Sequence, residues 1–190
     1  MSEMKSEKKT LRDEMMAREA ALPTDYLAAS DAGIRERLLA LEEYKAARSV
    51  LFFYSIWTEP DTHAAINAAL ADGKTVCLPQ SLPNGIMIAR KIASLDELVP
   101  ARYGIPSPTE EMPMLEHAEI DFIVVPSVAF DADGFRLGHG GGYYDRYMAK
   151  SPAFRCGIAR ERMLLPRVPR GRYDLAVDCV VTETRVLRFR

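Results

Sequence analysis

The stretch that most restricts how this chain can fold is residues 134–146, G-F-R-L-G-H-G-G-G-Y-Y-D-R. Gly138, Gly140, Gly141 and Gly142 are crowded there between Arg136 and Arg146. An apolar run, Phe122-Ile123-Val124-Val125, precedes the stretch and stops at Pro126, and residues 143–150 read as a helix. The glycines therefore lie in a loop between a strand and a helix. Glycine permits positive φ and lets a ligand approach the main chain closely. Successive backbone N–H groups in such a loop form an anion-binding concavity, and a following helix start adds further donors. Arg136 and Arg146 carry guanidinium forks that match phosphate oxygens. Asp145 is the carboxylate such a site would use for Mg²⁺, which takes hard oxygen ligands beside substrate phosphates. The competing reading, a flexible turn with solvated charges, fits four glycines followed by two tyrosines poorly. The loop is not a dinucleotide fingerprint, which would need glycine where Tyr143 stands, and no Gly-Lys-Ser/Thr follows it as in a Walker loop.

The rest of the chain supplies alternating strands and helices. Residues 5–21 predict a charged helix with Leu11 and Met15 on one face and Pro23 beyond its end; Lys8 and Arg12, four apart, share another face. Residues 24–42 predict a second helix, in which Leu27, Ile34, Leu38 and Leu41 make a core-facing stripe that Gly33 weakens. Residues 49–55, S-V-L-F-F-Y-S, read as a strand buried on both faces. The strand runs into Trp57-Thr58-Glu59-Pro60-Asp61-Thr62, and a helix over 62–72 follows with Asp61 as its N-cap. Glu59 thus stands at a strand exit, where open α/β sheets place ligand contacts, although a solvated loop carboxylate satisfies the same pattern. Further strands are expected over 74–79, 86–89, 121–126, 154–159 and 176–182, with a turn at Pro83-Asn84-Gly85 and a helical turn over 95–98. Residues 103–108, from Tyr103 to Pro108, are proline-rich and are expected to continue no regular element. The alternation predicts a three-layer α/β protein with a largely parallel central sheet. No linker divides the chain, so a single domain over 1–190 is expected.

Composition excludes several classes. A formal net charge of −2 provides no global basic field, so nucleic acid is not an expected partner and any anion site must be built locally. No apolar run approaches spanning length, and the charged start M-S-E-M-K-S-E-K-K lacks the apolar core of a secretion signal. Cys77, Cys156 and Cys179 are scattered and odd in number, which argues against a disulfide framework or a cysteine zinc site. A cytoplasmic protein without membrane contact, monomeric or weakly dimeric, is the expectation.

The segment R-L-G-H-G-G-G-Y-Y-D-R closely resembles the signature of the 5-formyltetrahydrofolate cyclo-ligase family, also called methenyltetrahydrofolate synthetase. The resemblance continues in K-K-T-L-R, E-P-D-T, Y-G-I-P, D-F-I-V-V-P-S-V-A-F-D and V-D-C-V-V-T-E, in the same order and spacing. It implies a Rossmann-like α/β fold, ATP as co-substrate, Mg²⁺ as cofactor and a reduced folate, 5-formyltetrahydrofolate, as the molecule acted on. It implies ATP contacts by Lys8, Lys9, Thr10, Leu11 and Arg12, and by Arg136, Leu137, Gly138, His139, Gly140, Gly141, Gly142, Tyr143, Tyr144 and Arg146. It implies folate contacts by Tyr54 and Glu59 and by His139, Gly140, Gly141, Gly142 and Tyr143. By the same resemblance Asp145 and Asp178 hold the metal, and Glu59, Arg136 and Asp145 carry the catalytic chemistry. Tyr54 is also a plausible core aromatic and Asp178 a plausible strand-edge carboxylate. The chain departs from the family at Ser107, where glutamate is usual. It departs again at Arg160-Glu161-Arg162-Met163, where an acidic or aromatic residue and then glutamine are usual, and at Tyr173, where histidine precedes the aspartate. These departures bear on folate-tail recognition and leave two other readings open: a nucleotide- or phosphosugar-binding module without folate turnover, and a non-catalytic interaction protein.

Overall fold

The structure is a computed structural model and describes residues 2–101 and 104–189. Three helices open the chain: α1 (Ser2–Ala20), α2 (Thr24–Ala40) and α3 (Glu42–Ala46). β1 (Ser49–Leu51) then crosses over through α4 (His63–Ala71) to β2 (Thr75–Ser81), which turns back into β3 (Met87–Ile92). β4 (Val99–Pro100) and β5 (Pro106–Ser107) pair with each other, and β6 (Met114–Leu115) adds to β3. After β7 (Phe122–Val125) come the hairpin strands β8 (Ala129–Asp131) and β9 (Arg136–Leu137) and then α5 (Tyr143–Met148). The chain closes with β10 (Phe154–Ile158), β11 (Leu164–Leu165), β12 (Cys179–Val181) and β13 (Val186–Arg188).

Among the described residues the main sheet has eight strands in the order β13-β12-β10-β7-β1-β2-β3-β6. The central ones, β12 through β2, are parallel; β13, β3 and β6 close the edges antiparallel. Alternate residues of each parallel strand face opposite layers. Val50, Val76, Leu78, Phe122 and Val124 pack with Ile34, Leu38, Tyr44 and Ile66 of α2, α3 and α4. Leu51, Cys77, Ile123 and Val125 pack with Tyr147 and Met148 of α5 and Phe130 of β8. This is the expected three-layer α/β architecture, and burial on both faces is why these strands read as unbroken apolar runs. A second sheet, β11-β8-β9, sits in the layer of α5 and gathers Val128, Ala129 and Leu137 against Met15 of α1.

Several elements differ from expectation. The strand expected over 49–55 keeps ladder pairing only over β1, plus the bond from Phe52 N to Cys77 O at 2.9 Å. Beyond it the amides go to side chains instead: Ser55 N to Thr62 Oγ1 at 3.1 Å and Ile56 N to Glu59 Oε2 at 2.9 Å. The helix over 24–42 breaks at Leu41, which turns extended (ψ 134°) and drops into the core. Gly33 is no defect in α2, because a Cβ there would lie 3.0 Å from Glu183 O. α4 begins at His63 with Thr62, not Asp61, in the N-cap position; Asp61, one residue earlier, still accepts from the first helix amides, His63 N at 3.2 Å and Ala64 N at 3.4 Å. The strand over 176–182 shrinks to β12, since Val177 N bonds to Gly134 O. Tyr103, the start of the proline-rich stretch, lies outside the described residues. The remainder of that stretch does form a short ladder, with Pro106 and Ser107 of β5 opposite Pro100 and Val99; proline is tolerated there because the pair is an edge. The glycine loop does not leave β7 directly: it leaves β9, after the β8–β9 hairpin.

Candidate active site

Chain order reverses between β1 and β7: β2 lies to one side, β10 and β12 to the other. In open α/β sheets the crevice outside the carboxyl ends of the strands at such a point is where ligands bind. Here that crevice is a cavity of about 600 Å³. Phe53, Tyr54 and Glu59 after β1, Leu78 to Leu82 at the end of β2, and Pro126 after β7 form its walls, with His139, Tyr143 and Tyr144 from the glycine loop and the start of α5. Volume and lining suit a small aromatic ligand with a few fixed polar contacts.

The glycine loop closes one side. Gly140 (φ 99°) and Gly142 (φ 66°) take left-handed backbone that other residues resist, so the loop alternates conformation as an anion nest requires. Arg12 reaches across from α1, donating from Nε to Gly138 O at 2.8 Å, with its guanidinium beside Gly140. Arg146 donates from one terminal nitrogen to Gly141 O at 2.8 Å and lies so near Gly85 that a Cβ there would overlap it. Tyr143 donates to Leu82 O at 3.2 Å and pins the start of α5 to the end of β2. Arg136 is buried: it donates to Asp145 Oδ2 at 2.9 Å, and its Nε has no partner among the described residues. Lys8 forms an ion pair with Asp174 at 2.6 Å. Lys9 and Thr10 are exposed, whereas Leu11 packs beside Met15. Thr10 and Leu11 line a separate open groove with Val168, so this part of the α1 segment is not gathered at the loop.

Glu59 and His139 join the two halves. Glu59 Oε1 lies 3.2 Å from His139 Nε2, linking the cavity wall to the glycine loop across 80 residues of sequence. The other carboxylate oxygen holds Ile56 N, and Glu59 N donates back to Ile56 O at 3.0 Å, closing a turn. The Tyr144 hydroxyl is buried at this junction without a partner among the described residues. Burial drives its pKa up, and the charge of Glu59 adds to the rise.

Sequence reasoning missed Arg160, which it read as a tail departure. Its side chain is buried and holds the Glu59 turn from behind, donating to Thr58 O (2.5 Å) and Glu59 O (3.4 Å). It also bonds Glu19 of α1 (3.2 Å) and Ser30 and Asp31 of α2 (3.0 and 2.6 Å). Burial pushes the Glu19 carboxyl up to about 7 against the pull of Arg160; Glu59 adds to the rise and His139 opposes it. Asp31 is raised by burial too, again opposed by Arg160. The only signal was a charged residue directly after the apolar pair Ile158-Ala159 at the end of β10, a place that water cannot easily reach. Met163 is core, Arg162 stacks on Tyr26, and Tyr173 is exposed; of the departures only Ser107 lines the cavity.

The two expected metal ligands differ in setting. Asp145 accepts from Arg136 and from Leu175 N at 3.2 Å, and its side chain keeps 16 % exposure. Asp178 stands at the amino end of β12, with Oδ2 on Arg155 N at 2.8 Å, away from the carboxyl ends that carry Glu59. Among the described residues no three His, Cys, Asp or Glu side chains are grouped to hold a metal. Among the described residues this donor set builds no all-protein cage; Asp145 offers a single carboxylate, the kind of donor set that suits an ion held chiefly by phosphate oxygens.

Fold and site together define an α/β protein in which an arginine-bordered glycine nest abuts an apolar cavity at the sheet's switch point. The chain matches the model of the 5-formyltetrahydrofolate cyclo-ligase family over residues 4–183 and belongs to that family. It is 30 % identical over 172 residues to a probable 5-formyltetrahydrofolate cyclo-ligase of Schizosaccharomyces pombe, covering 82 % of this chain and 84 % of that one. It is 27 % identical to the mouse 5-formyltetrahydrofolate cyclo-ligase, covering 94 % of each. The solved structure of Aquifex aeolicus 5,10-methenyltetrahydrofolate synthetase superposes with a TM-score of 0.85 at 30 % identity, over 96 % of this chain and 93 % of that one. Among the described residues no helix is long and apolar enough to cross a membrane.

Proposed function

We propose that this chain converts 5-formyltetrahydrofolate to 5,10-methenyltetrahydrofolate at the expense of ATP, releasing ADP and phosphate. The observation that carries this reading is the contact between Glu59 and His139, which puts an apolar cavity and an anion nest side by side. An N5-formyl amide is a poor electrophile: nitrogen donates into the carbonyl, and oxide is a bad leaving group. Transfer of the γ-phosphoryl group to the formyl oxygen removes both obstacles. N10 then attacks the formyl carbon, the ring closes, the C–O bond breaks as the phosphorylated oxygen departs as inorganic phosphate, and the N10 proton leaves to that phosphate or to solvent.

Such a reaction needs positioning and charge neutralisation more than a protein nucleophile. In this reading the loop amides around Gly138 to Gly142, with Arg12 and Arg146, hold the triphosphate, and Lys8 adds charge at its edge. Arg136 orients Asp145 through their ion pair. Asp145 would hold Mg²⁺ beside the triphosphate, and the ion would supply neutralisation of phosphate charge. Glu59 orients the pterin end of the folate, Tyr54 and Tyr143 line its path, and His139 fixes the junction. The apolar walls keep water away from the activated formyl group. The test is purified protein with MgATP and 5-formyltetrahydrofolate, following methenyl absorbance and ADP together. Equal formation of both is expected; ATP binding without methenyl product would favour the nucleotide-binding module.

A further inference from the structure

The turn that carries Glu59 has an unusual first central residue. Ile56 O accepts from Glu59 N, so Trp57 and Thr58 are its central pair, and Trp57 has φ 50°. A turn with positive φ at that position ordinarily has glycine there, because a bulky side chain is strained in left-handed backbone. Trp57 is also 83 % exposed, although tryptophan is usually well covered. The strained position does not come from a slack loop: Arg160 holds Thr58 O and Glu59 O, and Glu59 holds Ile56 N. Strain maintained by surrounding bonds is a mark of ligand clamps. Trp57 is one of the residues that line the cavity.

The chemistry of the substrate says what would meet that ring. N10, the nitrogen that attacks, is bonded directly to the aryl ring of the folate. Wherever N10 reaches the formyl carbon, the aryl ring lies one bond further out. Glu59, which we place against the pterin side, is two residues from Trp57 in the same four-residue turn. Resting on the function proposed above, we infer that Trp57 is the aromatic platform on which the p-aminobenzoyl ring of the folate stacks. It is held outward in the free protein so that it covers the cavity mouth when the substrate enters. Stacking of this kind favours offset or edge contacts and needs no charge.

The test is calorimetric titration of wild type, Trp57→Ala and Trp57→Phe, without ATP, with 5-formyltetrahydrofolate and with 5-formyl-6-methyltetrahydropterin, which lacks the aryl ring. Trp57→Ala is expected to weaken folate binding at least ~10-fold, and Trp57→Phe to restore it to within ~3-fold. The truncated pterin should bind all three alike, and ATP affinity should stay within ~2-fold. Equal folate affinity in wild type and Trp57→Ala would overturn the platform while leaving the proposed function standing. Equal weakening for both ligands would also overturn it, because it would report a displaced turn rather than a lost stack. If the wild type bound no folate at all, the function itself would fail and the platform with it.

Discussion

Arg136 and Arg146 flank the same loop, yet their environments separate what each can reveal. Arg136 is buried against Asp145, so Arg136→Ala leaves a half-buried carboxylate without its partner and should cost about 3–5 kcal/mol of stability as well as ATP affinity. Arg146 is exposed and, among the described residues, bonds only the loop carbonyls of Gly85 and Gly141. Arg146→Ala should therefore weaken ATP about tenfold or more, a charged hydrogen bond being worth about 1.5–3 kcal/mol, while shifting stability by less than about 0.5 kcal/mol. Titration calorimetry beside thermal melts checks both; unchanged ATP affinity in Arg146→Ala would remove it from the phosphate site. Glu59 tests the folate side. Glu59→Gln keeps an oxygen for Ile56 N–H but loses the charge. ATP affinity should stay within about twofold while cyclisation falls at least about tenfold, roughly 1.4 kcal/mol of transition-state stabilisation. Steady-state kinetics with both substrates varied checks it.

At the scale of elements, α1, α2 and the Glu59 turn meet on one guanidinium. The acid beneath it leaves a pH signature. The Glu19 carboxyl is raised by burial from 4.5 to about 7, so between these values the native state keeps a proton that the unfolded chain has lost. Its contribution to stability therefore falls as pH rises through that window and levels off above it. Glu19→Gln removes this loss while keeping an acceptor for Arg160. Its melting temperature relative to wild type should rise between about pH 5 and pH 8, and a constant difference would contradict the burial argument. This cluster shows what was hidden in the sequence. Arg160 and Glu19 are 141 residues apart, and no local pattern pairs them. The glycine loop was legible because its constraint is local: four glycines, two arginines and a helix start lie in one segment. Strand lengths were less legible. Residues 52–55 are as apolar as β1, but apolarity reports burial, not whether an amide bonds a neighbouring strand or, as with Ser55, a threonine side chain. Trp57 was visible only as a letter two places before Glu59, since neither its φ nor its exposure is written in composition.

For the whole molecule, alternation of strands and helices was enough to foresee three layers and a parallel sheet, and hence a site at the carboxyl ends of its strands. What alternation could not foresee was the β8–β9 hairpin, which carries the glycine loop away from β7 and aims it across the sheet's switch point toward Glu59. The account requires a single reaction path through both halves of this site: the formyl oxygen must take up the γ-phosphoryl group. Heavy oxygen placed in the formyl group of 5-formyltetrahydrofolate follows that path directly. Mass spectrometry of the released phosphate should find the label there, one atom for each methenyl product formed. Label released to water, or unlabelled phosphate alongside full methenyl formation, would contradict the account.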